Sequence, residues 1–454
     1  MPGILTFDIA KLSKSFFNFR NIEIQNFVID SRRVLPGDCF IAFKGQRLDG
    51  NDFVEEAKRQ GAACAIVTEL RESFKNLGIP IFYTDDPYAI IRELAEKKRS
   101  RVKARFVTIT GSSGKTTTKE FTAQLLSNFY KVGKTPGNNN NMLGVSLALL
   151  NLDPDCEVGV FETGTNQKGE VKELTSLVKP IGSVTTNVGP SHLHFFSSVR
   201  GVFKAETEQG GWLSRVRGFW VLNYDNSFLR KLLSKYKNIS FHWFSLQKNR
   251  GVSPSFLEWD ERGGFWGFSL RFSDDNLEVF LPFWGSFNVR NFLAAVATAQ
   301  RFEKFSREKL QDMVYGLKLP DLRSNVQVED KLIIVWDCYN ANPESFSESV
   351  DEVISFRNKF FSSWRLVGVF ADMAELGRLA PFYHGLVASK VEKYFFKVFY
   401  VGEHFSIFRK KMGEGCEAID SLENLARKLK QLKEVIILVK GSHKFLLDKL
   451  REFF

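Results

Sequence analysis

The sequence predicts an α/β protein of three domains, and three observations predict it. Its 454 residues are too many for one ordinary hydrophobic core. From about residue 104 onward, short β-branched runs alternate with helical stretches, as a parallel sheet requires. Phe106–Glu120, FVTITGSSGKTTTKE, joins a buried strand to a helix through a glycine turn, the layout of a P-loop domain whose helix N-terminus cradles phosphate.

Residues 1–103 read as a small α/β domain. Ile22–Asp30 alternates enough to be a strand, and Asp38–Phe43 is a second, entered through Pro36-Gly37. Phe53–Gln60 has helical spacing and stops at Gly61; Ala62–Val67 is a buried strand. Asp86-Pro87-Tyr88 starts a helix through Leu94, and the charged run Glu96–Arg101 reads as a solvated helix end and linker.

Residues 104–318 hold the cradle. Gly111, Ser112, Ser113 and Gly114 form its turn, Lys115 would reach the β- and γ-phosphates, and the Thr116 hydroxyl, with Thr117 beside it, would ligate Mg²⁺. The match to G-x-x-x-x-G-K-[ST] is incomplete, because Ile109 stands at the first glycine. Glu162 ends the strand Val158–Phe161, where either a second metal ligand or an ordinary solvated carboxylate belongs. His192 follows the strand Ser183–Thr186 in a rigid turn, TNVGPSHL; it either faces metal or phosphate or satisfies a loop carbonyl. Lys204 sits on a helix, where the pattern alone reads it as exposed. Residues 238–283 are β-rich with a hairpin at Gly263-Gly264, and Asn288–Gln300 is an alanine-rich helix. Asn288 and Asn291, three apart at its start, suit one cap and one ligand contact.

Residues 319–454 open a fresh α/β pattern, Rossmann-like in its alternation, with strands at Leu332–Trp336, Leu366–Phe370, Val398–Val401 and Val435–Val439. Asp337 ends the first of these and leads into the turn Cys338–Pro343. Cys338 has no evident histidine partner and is not read as a nucleophile.

Composition narrows the function. The net charge of +11 is spread among acids, with no basic and aromatic face for nucleic acid. The 45 phenylalanines against 5 methionines indicate Phe in core positions. Five scattered cysteines without a C-x-x-C pair point to a reducing compartment. No signal-like start and no run of 18 apolar residues is found, so the expectation is a cytoplasmic protein.

In order, TGSSGKTTTKE, ETGTN, TNVGPSHL, FKAETE, FNVRNFLAA and DCYNANP resemble the Mur ligase family, over nearly the whole chain. Within it, Tyr339–Pro343, ADMAELG at 371–377 and Val439–Ser442 are similar to the member that adds D-alanyl-D-alanine to UDP-N-acetylmuramoyl-tripeptide. The N-terminal DSR, PGDCFIAFKG and DGNDF resemble the family's UDP-binding domain. No DNPR signature of the diaminopimelate-adding enzyme is seen, and folylpolyglutamate synthases share the ATPase core without explaining the N-terminal domain.

The resemblance implies ATP-dependent amide formation in peptidoglycan synthesis, with ATP, two Mg²⁺ and a carbamylated Lys204. It implies Lys115, His192 and Lys204 as catalytic residues, and Thr116, Glu162, His192 and Lys204 as metal ligands. Asn288 and Asn291 flank adenine, Arg323 meets the phosphates, and Asp337 contacts ribose. Ser31, Arg32 and Asp49 bind the UDP side; Asn138 and Asn141 lie near the muramoyl group. Tyr339, Asn340 and Asn342 serve the dipeptide or domain closure. A monomer is expected, with a hinge near residue 319 and domains that close when ligands bind. The pattern departs at Phe287 and Asn51, where relatives have histidine, and PDLRSN at 320–325 is a loose match around Arg323.

Overall fold

The computed structural model describes residues 3–274 and 277–454; Met1, Pro2, Asp275 and Asn276, which fall in the predicted N-terminal domain and the β-rich stretch, lie outside the described residues. The chain forms two compact units. One comprises Met1–Thr108, Tyr130–Gly164 and Lys172–Ile181; the other comprises Ile109–Phe129, Thr165–Val171 and Gly182–Phe454.

The first unit has a five-stranded sheet in the order Ser15–Phe17, Ile81–Tyr83, Cys64–Val67, Cys39–Ile41, Phe27–Val28. All neighbours are parallel except the first pair. The strand expected over Ile22–Asp30 is instead two short pieces, Glu23–Ile24 and Phe27–Val28, which pair with different strands. Asp86 caps the helix Pro87–Arg101 by accepting from the Ala89 amide at 3.0 Å, with Pro87 in the first turn, where no N–H is needed.

That helix keeps its register through the charged run read as a solvated end, and the reason is packing. Lys98 is buried. Arg99 lies over the Phe106 ring at 4.1 Å and donates to the carbonyls of Val178, Lys179 and Val102. Burial pulls its guanidinium down to about 10. The same unit holds the parallel pair Val132–Lys134 and Val158–Glu162.

In the second unit Gly182–Thr185, Phe219–Asn223 and Ser240–Phe244 run parallel. The antiparallel meander Pro254–Arg262, Phe265–Phe272 and Glu278–Leu281 follows, turning at Gly263-Gly264 with both φ positive, as a two-residue hairpin demands. The C-terminal sheet is ordered Asn325–Glu329, Leu332–Asp337, Val435–Lys440, Arg365–Ala371, Phe395–Val401, Cys416–Ala418. Only its first strand is antiparallel, and the central parallel strands Leu332–Asp337, Val435–Lys440 and Arg365–Ala371 are near-continuous apolar runs, as burial on both faces requires.

The long helix Pro343–Phe360 carries two stripes. Phe356 and Phe360 pack on Trp259 of the meander at ring distances of 5.3 and 6.3 Å, and Trp266 meets Phe356 and Phe361. Such pairs contribute about 0.5–1.5 kcal/mol each beyond area burial. Phenylalanine does fill the interior: Phe40, Phe74, Phe82, Phe106, Phe121, Phe161 and Phe244 are among the largest fully buried side chains.

Candidate active site

The strand Arg105–Thr110 ends at Gly111, and the helix Lys115–Leu126 begins after Gly114. Both glycines have positive φ, +132° and +76°, and a Cβ on either would run into Thr186 or Asn291. The turn is fixed from behind. Ser113 N–H donates to Asn187 Oδ1 at 2.9 Å, Gly189 N–H to Ser112 Oγ at 3.0 Å, and Gly111 N–H to Glu206 Oε2 at 2.8 Å, with the Thr110 hydroxyl on that same oxygen. Glu206 is fully buried. It lies in the FKAETE motif, and its signal in the sequence is an acid that follows directly on a short helix with Val202 and Ala205 on the buried side. Lys115 Nζ donates to the Gly111 carbonyl at 2.6 Å and so curls over the turn.

Arg323 arrives from the C-terminal region, where Leu322 and Ser324 on either side are left-handed, at φ +58° and +64°. Its guanidinium sits over the Tyr339 ring at 4.3 Å and donates to Thr116 Oγ1 at 3.1 Å. Non-glycine residues in this region cost about 1–3 kcal/mol and collect at functional sites. Asn342 caps the helix Pro343–Phe360, accepting from Ser345 N–H at 2.8 Å, and donates to the Ser112 carbonyl at 3.2 Å. Farther along that helix Glu344 accepts from Asn187 at 2.8 Å, Glu348 pairs with Arg290 at 2.7 Å, and Glu352 accepts from the Ser286 N–H at 2.9 Å and from its hydroxyl. Burial, and for Glu344 also the neighbouring Glu348, raises both Glu344 and Glu352 above the usual carboxylate range. Burial pulls Arg290 down, but Glu348 and Glu344 more than offset it and hold the cation.

His192 is left-handed at φ +49°, and its Nδ1 lies 2.6 Å from Glu375 Oε2. Contact with His192 lowers the Glu375 carboxyl against its burial. Glu375 sits in the loop after Arg365–Ala371, beside a cleft of about 460 Å³ lined by Met373, Arg378 and Lys444 among others. Asp372, His384 and His404 bring donor atoms within 4.8 Å of one another; His384 and Asp372 also pin this loop, while His404 Nδ1, 3.2 Å from Asp372 Oδ1, is buried without a hydrogen-bond partner. His384 accepts from Met373 N–H at 3.0 Å and donates to the Ala380 carbonyl at 2.7 Å, and burial lowers it to about 4. Asp372 accepts from the Tyr400 hydroxyl and the Glu403 and His404 amides.

The remaining predicted residues fall as follows. Asn288 and Asn291 are buried within the helix Ser286–Ala299, whose cap is Gly285. Asn288 donates back to the Trp284 carbonyl at 2.8 Å, and Asn291 Nδ2 lies 3.3 Å from Asn288 Oδ1. Neither caps the helix. Phe287 packs on Trp284 at 6.2 Å. Asp337 is buried and accepts from Ser349 and Lys440, each at 2.6 Å. Asn340 accepts from the Ala341 amide at 2.8 Å. Lys204 is exposed. Cys338 is buried, and burial pushes its thiol up to about 12, which removes it as a nucleophile at neutral pH.

In the first unit Glu162 is buried, accepting from Asn140 Nδ2 at 2.8 Å, while its own N–H donates to Thr135 Oγ1 at 2.9 Å. Asn141 caps the helix Met142–Leu150, and Asn138 is exposed in the preceding loop. Ser31 donates to Glu56 at 2.7 Å; Arg32 forks onto Asp30 and is otherwise exposed. Asp49 accepts from both nitrogens of Asn51, which is buried and bridges to Thr68. The Asn51 departure is thus a structural joint.

Within the second unit, the Thr116 hydroxyl at the start of the helix Lys115–Leu126 and the His192 imidazole are oxygen and nitrogen donors of the kind a divalent cation takes.

A P-loop cradle met by an arginine from a second α/β domain defines a nucleotide-dependent ligase class, and the chain belongs to the Mur ligase family. The family's catalytic domain matches residues 23–109, its middle domain 109–299, and its glutamate ligase domain 323–443. The chain is similar to UDP-N-acetylmuramoyl-tripeptide–D-alanyl-D-alanine ligase of Escherichia coli, at 30% identity covering 93% of this chain and 92% of that one. The enzyme of the same name in Haemophilus influenzae is 29% identical, covering 97% and 96%. Among solved structures, MurF from Acinetobacter baumannii superposes with a TM-score of 0.81 at 25% identity, covering both chains fully. MurF from Thermotoga maritima in complex with ADP gives 0.79 at 27%, covering 95% and 97%. No helix among the described residues is long and apolar enough to cross a membrane.

Proposed function

We infer that the chain joins D-alanyl-D-alanine to UDP-N-acetylmuramoyl-tripeptide at the expense of ATP, in peptidoglycan precursor synthesis and hence in cell shape and division. The observation that carries this reading is the docking of Arg323 on Thr116 and Asn342 on Ser112, which sets a cation from one domain against the phosphate cradle of another. The domains divide at 1–103 for the UDP substrate, 104–318 for ATP and 319–454 for the dipeptide and closure. It works as a monomer in the cytoplasm, without nucleic acid or membrane insertion.

The tripeptide carboxylate attacks the γ-phosphorus of ATP. A C–O–P linkage forms as the bond to the ADP oxygen breaks, with the cradle N–H groups of Gly111–Thr117, Lys115 and Arg323 facing the charge that develops. Asn288 and Asn291 bound the adenine side, and Asp337 the ribose. The unprotonated amine of D-alanyl-D-alanine then attacks the acyl carbon, the C–O bond to phosphate breaks, and the amide forms with loss of a proton. Ser31, Arg32, Asp49, Asn138 and Asn141 hold the UDP-sugar, and Tyr339, Asn340 and Asn342 orient the dipeptide, so much of the rate comes from positioning. Mg²⁺, when bound, would neutralise phosphate charge; Thr116, Glu162, His192 and a carbamylated Lys204 are the residues that would supply its donors.

Phosphate release from ATP should require both the tripeptide and D-alanyl-D-alanine. Turnover with L-glutamate or diaminopimelate in place of the dipeptide would overturn the amine assignment. ATP binding without turnover on any amine would instead make the chain a nucleotide-binding regulator.

A further inference from the structure

Glu344 is the second residue of the helix Pro343–Phe360, where an acid ordinarily faces water and complements the helix dipole. Here it meets the turn TNVGPSHL instead. Its Oε2 accepts from Asn187 Nδ2 at 2.8 Å, and the same oxygen packs on the bare backbone of Gly189, where an added Cβ would collide with it. Two residues earlier, the helix cap Asn342 donates to the Ser112 carbonyl at 3.2 Å. One helix end thus grips both serines of the turn Gly111–Gly114, Ser112 directly and Ser113 through Asn187.

The polarity of this chain of bonds is fixed. Ser113 N–H can only donate, so the Asn187 atom that receives it at 2.9 Å is the oxygen. The amide nitrogen is then the atom beside Ser113 Oγ, and its two hydrogens go to that oxygen at 2.9 Å and to Glu344. Ser113 Oγ accepts, and its own hydrogen meets no acceptor among the described residues. Ser112 differs: its hydroxyl receives the Gly189 N–H at 3.0 Å and donates to the Gly189 carbonyl at 3.3 Å. Of the two hydroxyls in the turn, only that of Ser113 has a hydrogen left to give.

We propose that Glu344 is a positioning residue for the phosphate cradle: through Asn187 it holds Ser113 Oγ as an acceptor from behind, so that the hydroxyl hydrogen is given to a phosphate oxygen. The proposal rests on the reading of Gly111–Thr117 as that cradle. Without Glu344, one Asn187 hydrogen loses its acceptor, the amide is held at one point fewer, and the hydroxyl is no longer set. The consequence is a link between domains, because the hydroxyl is set for phosphate only while the helix Pro343–Phe360 is docked. A phosphate that prefers the set hydroxyl favours docking by the same factor by which docking favours the phosphate.

The test is steady-state phosphate release by the full-length protein with ATP, UDP-N-acetylmuramoyl-tripeptide and D-alanyl-D-alanine, beside calorimetric ATP binding. Glu344→Ala removes the acceptor, and Gly189→Ala dislodges it: the Gly189 φ lies outside the left-handed region, and the atom in the way ends a flexible side chain. Each should lower kcat about tenfold, the contribution of one hydrogen bond to a charged group, with ATP affinity little changed. Ser113→Ala should lower kcat about 10²-fold. In that background neither Glu344→Ala nor Gly189→Ala should lower kcat further. The pair Asn187→Asp, Glu344→Gln keeps the bond between the two side chains but reverses its polarity, and Ser113 must then donate inward. Its kcat should stay near the Ser113→Ala level. Additive losses in the Ser113→Ala background, wild-type kcat in both Glu344→Ala and Gly189→Ala, or recovery in the reversed pair overturns the proposal. Lys115→Ala with wild-type turnover and ATP affinity overturns instead the cradle reading on which it rests.

Discussion

Arg323 donates to the hydroxyl of Thr116, 207 residues earlier in the chain, at 3.1 Å. The two residues lie in different domains of the ligase, and the hydroxyl is one that phosphate chemistry would use. Arg323 is lifted to that position by left-handed residues on both sides and steadied by the ring of Tyr339. Removing it should therefore hurt the chemical step more than ground-state binding. Arg323→Ala is expected to lower kcat by about 10²–10³-fold, with nucleotide affinity changed little. Arg323→Lys should not restore the rate, because an ammonium neither stacks on Tyr339 in the same way nor forks. Steady-state kinetics beside calorimetric ATP binding separates the two effects; recovery in the lysine variant would show that charge alone matters.

Gly114 tests the cradle. Its φ of +76° disfavours any side chain, and the nearest carbon of Asn291 would lie 3.0 Å from an added Cβ, with the amide oxygen closer still. Gly114→Ala should cost about 1–2 kcal/mol from backbone strain alone and displace Asn291. The expected result is a loss of nucleotide affinity of about tenfold or more in a protein that still folds. Wild-type affinity in this variant would mean that Asn291 does not bound the nucleotide.

Glu352 gives a pH dependence. Burial raises its carboxyl while the Ser286 N–H and hydroxyl pull it part of the way back. A carboxyl raised in the folded state favours the protonated form. Its contribution to stability is full below the ordinary value of 4.5 and is lost as pH climbs through the raised one. Glu352→Gln, which cannot ionise, should therefore gain on the wild type as pH rises. Melting curves at about pH 5 and about pH 8 should show the gap widening in favour of the variant at the higher pH. A pH-independent gap would contradict the raised carboxyl.

Lys204 is exposed on its helix. If it acts as a carbamate, Lys204→Ala should lose nearly all turnover and regain part of it with added acetate, which restores an oxygen donor. Absence of rescue across small carboxylates would argue against the carbamate.

Much of the fold was legible because it rests on local chemistry. The apolar runs Val158–Phe161, Leu332–Trp336 and Val435–Val439 are strands within a residue of their expected ends, since a strand buried on both faces must be continuously apolar. Gly263-Gly264 announced its hairpin through a turn that only such residues form readily. What could not be read was set by distance along the chain. The edge strand Asn325–Glu329 gave too little pattern beside its polar residues. Glu344 and Glu375 carry no signal of their own in the sequence, because their roles depend on partners supplied by folding. Arg99 was misjudged for the same reason: a charged run at a helix end usually meets water, and here it meets Phe106 and three carbonyls.

The aromatic seam between Trp259 and the helix bearing Phe356 and Phe360 has a thermal consequence. Any motion that lifts the helix off the meander wets these rings, and wetting apolar surface carries a positive heat-capacity change. Domain separation is then easier in the cold than a simple barrier would allow. If release of product requires that separation, the temperature plot of kcat will bend, and trimming Phe356 to leucine will straighten it.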